Sequence, residues 1–210
     1  MVELKANKIG FRYGGTKKWI LKNLSISLKD NQVKGLIGES GGGKSTLCKI
    51  LAGYEGNFEG ELKIDKLNTN DSKFNQVQLI FQHPERTMNP KWKMKQSLDE
   101  SWEVSDDILE KFGIKKSWLN RWPNELSGGE LQRFSIIRAL NPKTKFLIAD
   151  EITTMLDAVT QVQIWKLLLS MAKERKIGIL VVSHDKELVN EICDEVVYLD
   201  DINHDIKYNL

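Results

Sequence analysis

Long apolar runs are missing from this chain. None approaches the roughly 18–20 residues needed to span a bilayer, so any tie to a membrane must run through a partner. The opening stretch MVELKANKIGFRYGG holds no apolar h-region, and a signal peptide is not expected. Cysteine is scarce: Cys48 and Cys193 lie far apart in apolar company and read as small core residues. Without a CxxC pair or a dense Cys/His cluster, a structural metal framework is not expected, and a reducing compartment fits. Charge of one sign is not in excess either. The 31 Lys and Arg residues against 29 Asp and Glu leave a net charge of +2, and the two signs are interspersed. That balance supports neither a nucleic-acid stripe nor a polybasic membrane anchor. Internal repeats and low-complexity segments are also lacking.

The 210 residues, 40% of them hydrophobic, suffice for one large domain or one domain with a sub-lobe. Residues 2–13 and 20–28 alternate as antiparallel strands joined by a turn at Gly14–Lys18. Residues 32–37 read as a short apolar strand, 58–65 as a strand pair and 76–81 as a buried strand. From Pro84 to Pro123 the character changes: four of the six tryptophans, Trp92, Trp102, Trp118 and Trp122, fall here. Leu98, Trp102, Ile108 and Phe112 give Ser97–Phe112 helical spacing, which predicts a small helical lobe. Thereafter helices near 129–140, 158–176 and 186–193 alternate with strands 145–149, 178–182 and 195–199. Such alternation predicts an α/β fold with a parallel sheet.

The most informative stretch is Gly38–Ser45, GESGGGKS, which fits the phosphate-loop pattern between a predicted strand and a predicted helix. Gly38, Gly41, Gly42 and Gly43 let backbone N–H groups turn inward around a polyphosphate, because no β-carbon blocks the approach. Glu39 and Ser40 complete the loop, and Thr46 follows it into the helix, whose positive end faces the same anion. Lys44 would add charge on the β- and γ-phosphates, and Ser45 a hydroxyl ligand for Mg²⁺. The alternative is a glycine-rich turn that happens to precede Lys-Ser. Strand position makes nucleoside triphosphate binding the stronger reading.

KFLIADE (145–151) is an apolar strand ending in two carboxylates that can do different jobs, since successive strand residues face opposite ways. Asp150 suits a Mg²⁺ shell, and Glu151 suits a general base for the attacking water. Both acids could instead merely cap the strand end. Leu126, Ser127, Gly128, Gly129 and Glu130 open a helix with a second anion-binding start. One nucleotide does not need two cradles from one chain, so this element is expected to face a partner's γ-phosphate. A simple N-cap by Ser127 is the plainer alternative.

These elements, in this order, resemble the nucleotide-binding subunit of an ATP-binding-cassette (ABC) transporter, and the resemblance covers nearly the whole chain. It implies a P-loop NTPase cassette with a parallel-sheet core, an N-terminal antiparallel β subdomain and an inserted helical subdomain. The implied division is a single ABC ATPase domain over 1–210, with 1–83 and 124–210 as body and 84–123 as helical subdomain. Tyr13 in FRYGG corresponds to the aromatic that stacks on adenine, although a strand-end tyrosine packed on the sheet fits the residues as well. Gln82 in IFQHP would touch Mg²⁺ or the attacking water. Asp157 in TTMLD would lie at the dimer seam, and His184 in VVSHD would hold the γ-phosphate, Glu151 and the water.

IFQHPERTMNPKW and LSGGELQR look most like the dipeptide, oligopeptide and nickel importer group. The resemblance therefore implies an ATPase powering uptake of a peptide, nickel or a metal chelate from the cytoplasmic face of the membrane. It implies Mg²⁺ with ATP as cofactor. The implied partners are a second cassette, identical or paralogous, two permease subunits and an extracellular binding protein, with no nucleic acid. The tryptophan-rich lobe would take a helix of a membrane subunit, although most of its aromatics read as core. His83, Glu130 and Thr154-Met155 depart from the usual pattern without removing a chemical group. The stop at Leu210 reads as a minimal cassette and leaves the subgroup open. The rival readings are a non-transport cassette acting on nucleic acid or the ribosome, and a non-hydrolysing regulatory partner. The under-hundred-residue spacing of phosphate loop and signature opposes the first, and intact Glu151 and His184 oppose the second.

Overall fold

A computed structural model describes residues 1–14, 18–65, 74–154 and 156–203. The turn expected at Gly14–Lys18 lies partly outside them, and Met155 wholly so. Contacts divide the chain into two units, one of residues 1–79, 145–150 and 176–210, the other of 80–144 and 151–175.

The first unit holds two sheets. β1 (Glu3–Phe11) pairs antiparallel with β2 (Leu21–Lys29) and with β4 (Glu59–Asp65), giving the order β2-β1-β4. Leu4 and Ala6 are buried, yet so are Ile9 and Phe11, which a strict two-residue alternation would turn outward. A bulge resolves the conflict: the register shifts between Ala6 and Ile9, and Lys8 takes a left-handed φ of 51°. One extra residue flips the phase so that both halves of β1 face the same core. Residues 59–65 form one strand where 58–65 was expected to give a pair, and its partner is β1.

Gly60 sits against this bulge at φ 98°, and a β-carbon there would lie 2.5 Å from the carbonyl oxygens of Asn7 and Lys8. Gly60→Ala is expected to cost more than about 2 kcal/mol, from left-handed strain plus a backbone clash. A lower urea midpoint would show it; an unchanged midpoint would mean that the bulge yields freely.

The second sheet has the order β5-β6-β7-β3-β8, with β3 (Val33–Ile37), β5 (Val77–Ile80), β6 (Phe146–Asp150), β7 (Gly178–Val182) and β8 (Glu195–Tyr198). β3 runs parallel to β7 and β8, and β6 to β7. Every residue of β6 and β7 is buried, as continuous apolar runs in a covered parallel sheet require. Helix α1 (Lys44–Leu51) follows β3, and α6 (Lys186–Ile192) follows β7. Gly35 lets α6 approach β3, since a β-carbon there would meet Val189 at 2.3 Å. A short α7 (Leu199–Ile202), not foreseen from the sequence, ends the described chain. Cys48 is buried as expected, whereas Cys193 is only partly so. Burial pushes the Cys193 thiol up to about 12.

The second unit is helical. Instead of one helix over 97–112 it has two, α2 (Met94–Asp99) and α3 (Asp106–Lys111). The break brings side chains to the C-terminal end of α4 (Gly128–Ala139), where carbonyls of the last turn run out of intrahelical donors. Trp102 Nε1 donates to the Ile137 carbonyl at 3.0 Å, and Ser101 Oγ to Arg138 at 2.8 Å. Thr144 Oγ1 donates to Ala139, and Arg175 of α5 (Ala158–Arg175) to Leu140, both at 2.8 Å. Asn141 Nδ2 in turn holds the Ser101 carbonyl at 2.6 Å. Ser101 and Trp102 reach these positions only where the chain leaves the helix. Among the lobe's tryptophans, Trp118 is buried, Trp92 and Trp102 are half-buried, and Trp122 is exposed.

Candidate nucleotide site

Three adjacent parallel strands, β6, β7 and β3, deliver Asp150, His184 and the Gly38 loop to the same carboxyl edge of the sheet. That edge is where open parallel sheets bind ligands. The loop is built for close approach. Gly41 and Gly43 have φ of 79° and 102°, and a β-carbon on Gly43 would press on Leu21, Ile20 and the Ile20 carbonyl at 3.0–3.2 Å. Gly38 passes α7 so closely that a β-carbon would lie 2.9 Å from Leu199 Cβ. Gly42 N–H donates to the Glu39 carbonyl at 3.2 Å.

Lys44 is buried to 7% exposure, and its ammonium donates to the carbonyls of Gly38 at 2.7 Å and Glu39 at 2.9 Å. The charge is thus held at the loop before any anion arrives. Ser45 is exposed, while Thr46 is buried and its hydroxyl shares a 3.2 Å hydrogen bond with the Tyr13 hydroxyl. Tyr13 keeps 45% of its surface exposed and meets Phe11 edge-on, with ring centroids 5.0 Å apart. The ring thus packs on a strand neighbour, as the plainer reading has it, while remaining partly exposed.

Asp150 is buried at the end of β6. Its charge and that of Lys44 both act on the Cys48 thiol of α1, which burial, with Asp150 adding to it, drives well above its ordinary range. His184 is exposed just beyond β7. Ser183 Oγ accepts from Asp185 N–H at 3.0 Å, and Asp185 caps α6 through Leu188 N–H.

The second unit carries the other group of expected residues. Glu151 takes a left-handed φ of 50°, uncommon for a residue with a side chain. Its Oε2 accepts from Gln82 Nε2 at 2.8 Å, and its carbonyl accepts from Thr154 Oγ1 at 3.0 Å. Strain of this kind persists only where surroundings over-determine it, and it concentrates at functional sites. Gln82 and Glu151, 69 residues apart, are thus brought together.

Ser127 is the N-cap of α4. Its Oγ accepts from Glu130 N–H at 3.3 Å, while Glu130 Oε2 accepts from Ser127 N–H at 2.8 Å. This capping box satisfies the helix start internally, so the plainer reading of Ser127 holds geometrically. Gly128 and Gly129, the first helical residues, still present N–H groups without intrahelical acceptors. Leu126 is buried. Ser127, Gly129, Glu130, Arg133, Asp157 and Thr160 line a cleft of about 390 Å³. Asp157 Oδ1 accepts from Thr160 N–H at 3.0 Å, and that hydrogen bond holds its carboxyl below the usual range. Signature and Asp157 therefore share one cleft. Arg133 and Thr160, not singled out in the sequence, join them because residues one turn further along each helix line the same wall.

Comparison with known proteins agrees with this geometry. The ABC transporter family model matches residues 21–154. The methionine import ATP-binding protein MetN of Clostridium tetani is 36% identical over 95% of this chain, which spans 66% of that relative's length. The nickel import system ATP-binding protein NikE of Staphylococcus aureus is 31% identical, over 96% of this chain and 87% of its own length. A dimeric structure of the ATP-binding cassette MJ0796, in a post-hydrolysis state bound to ADP and Pi, superposes with a TM-score of 0.78. Its sequence identity is 26%, and 93% of each chain is covered. The chain belongs to the ABC transporter family. It has the P-loop NTPase fold of an ABC cassette, with an antiparallel β subdomain and a parallel sheet, and its class is that of the ABC ATPases.

Proposed function

We propose that this chain binds and hydrolyses ATP as one cassette of an importer for a small solute, coupled to separate membrane subunits. The observation that carries the hydrolytic part is the Gln82–Glu151 hydrogen bond at a strained Glu151. An amide donating to Oε2 fixes the direction of the carboxylate, as a general base for water requires. Lys44 and the loop N–H groups bind the β- and γ-phosphates, and Tyr13 stacks on adenine. His184 holds the γ-phosphate and water. Nothing in this arrangement requires the chain itself to change covalently.

Among the described residues no cluster of three His, Cys, Asp or Glu could cage a metal. The hard oxygen donors Ser45 and Asp150 nonetheless fit Mg²⁺, which prefers few protein ligands and completes its shell with phosphate and water. Mg²⁺ held there would neutralise charge on the transferred phosphoryl group.

Among the described residues no helix is long and apolar enough to cross a membrane. We place this chain at the cytoplasmic face of the membrane, on two transmembrane permease subunits, with a binding protein outside. A second cassette, a copy or a paralogue, closes on this one with its signature facing the γ-phosphate. We read residues 84–123 as the helical subdomain of a single cassette. The names of MetN and NikE support methionine or nickel as cargo, and methionine lies outside the group that the sequence motifs suggested. Peptide or metal-chelate uptake rests on the sequence resemblance alone.

Uptake of ⁶³Ni, labelled methionine and a labelled dipeptide in cells carrying Lys44→Ala tests the cargo. One of the three is expected to fall at least about tenfold, as loss of a charge-assisted phosphate contact implies. Unchanged uptake of all three would overturn import of these solutes.

A further inference from the structure

Gln132 lies one turn into α4, the helix that begins at the signature, and its side chain is 1% exposed. Its Nε2 donates to the Phe81 carbonyl across a long 3.4 Å, and among the described residues no donor reaches its buried Oε1. A buried amide half left unpaired is costly and rare in native structures. Replacing it with a leucine of similar volume would remove that cost, so stability alone does not explain the glutamine. The residue following Phe81 is Gln82, whose amide holds Glu151 at 2.8 Å. A continuous chain of contacts thus runs from the signature helix through Gln132, the Phe81 carbonyl and Gln82 to Glu151.

We propose that Gln132 is a positioning residue that couples the placement of the signature helix to the orientation of Glu151. The inference rests on the reading of Glu151 as general base. The amide touches neither nucleotide nor water. It sets the peptide plane at Phe81–Gln82, and through it the direction of the Gln82 side chain. The slack 3.4 Å contact makes it responsive: a shift of α4 by a few tenths of an ångström tightens or breaks it. Two cassettes closing on ATP press on the signature end of α4, and this route reports that pressure to the catalytic carboxylate of the same chain.

The test is the side-chain amide resonance of Gln82 in ¹⁵N-glutamine-labelled protein, assigned by its loss in Gln82→Ala. Glu151→Ala supplies the reference for a released amide. In Gln132→Leu the resonance is expected to move more than halfway to that reference, with thermal stability equal to wild type or higher. A Gln82 resonance left at its wild-type position would overturn the proposal. Gln132→Met, unbranched and of the same length, gives the same readout if the leucine variant fails to fold. In parallel, Gln132→Leu is expected to lower kcat about tenfold with KM for ATP unchanged, as small misplacements of catalytic groups do. It should add nothing further in a Gln82→Ala background. Multiplicative losses in the double variant would contradict the route. A wild-type chain with no ATPase activity in its complex would instead overturn the hydrolytic reading, while the resonance still decides the coupling.

Discussion

Glu151→Gln is expected to lower ATP hydrolysis by about 10²–10⁴-fold, the contribution typical of a general base. The substitution is narrow. Glutamine keeps an oxygen for Gln82 Nε2 to donate to, and it keeps the backbone whose φ of 50° is already tolerated at this position. What it loses is the negative charge and the ability to take a proton from water. The Gly38 loop and Lys44, which belong to the other unit, are untouched, so ATP affinity should stay within about twofold of wild type, since uniform binding is not altered. Because bound ATP then persists, the nucleotide-closed assembly should live longer. Single-turnover phosphate release and equilibrium nucleotide binding, measured on the same preparation, separate the two effects. Hydrolysis reduced only slightly would remove Glu151 from the role of base.

Ser127→Arg is expected to weaken ATP-dependent association of two cassettes by about 10–100-fold, the equivalent of roughly 1–3 kcal/mol of overpacking. The arginine side chain enters the cleft of about 390 Å³ that Ser127 shares with Gly129, Arg133 and Asp157. It brings a second cation beside Arg133 and occupies the space that the partner's nucleotide must reach. Loss of the Ser127 cap costs the helix about 0.5–2 kcal/mol, so the monomer remains folded with a lowered melting temperature. ATP binding to the monomer should be unchanged, since the phosphate loop belongs to the other unit. Sedimentation with and without ATP reads the association directly. Normal ATP-dependent dimers of this variant would remove the signature from the partner's site.

The phosphate loop was legible because its chemistry is local: glycines, a lysine and a hydroxyl in eight consecutive residues between a strand and a helix. The parallel sheet was legible for a related reason, since β6 and β7 are uninterrupted apolar runs with loops at each end. What failed was long-range. The helix over 97–112 has good periodicity, yet the chain breaks where Ser101 and Trp102 hydrogen-bond the carbonyls of residues 138 and 137. The bulge at Lys8 is set by phase matching to β2 and β4, and nothing in residues 3–11 announces it. The pairing of Gln82 with Glu151 was not foreseen: the family resemblance gave Gln82 a contact to Mg²⁺ or the attacking water, and a strand-end glutamine is unremarkable by itself. Arg133 and Thr160 were missed because the cleft exists only once the first turns of α4 and α5 meet in the fold. Ser127 forms the capping box of the plainer reading, whereas a place opposite a partner's γ-phosphate is a property of two chains and is not written in one.

Affinity purification of tagged Glu151→Gln protein from its own cell membranes with Mg-ATP, followed by mass spectrometry, tests the importer assignment most directly. Two permease subunits and a second cassette should be recovered, with a binding protein whose ligand identifies the cargo. Recovery of ribosomal or DNA-bound material with no permease would contradict the assignment and leave an ABC ATPase of another kind.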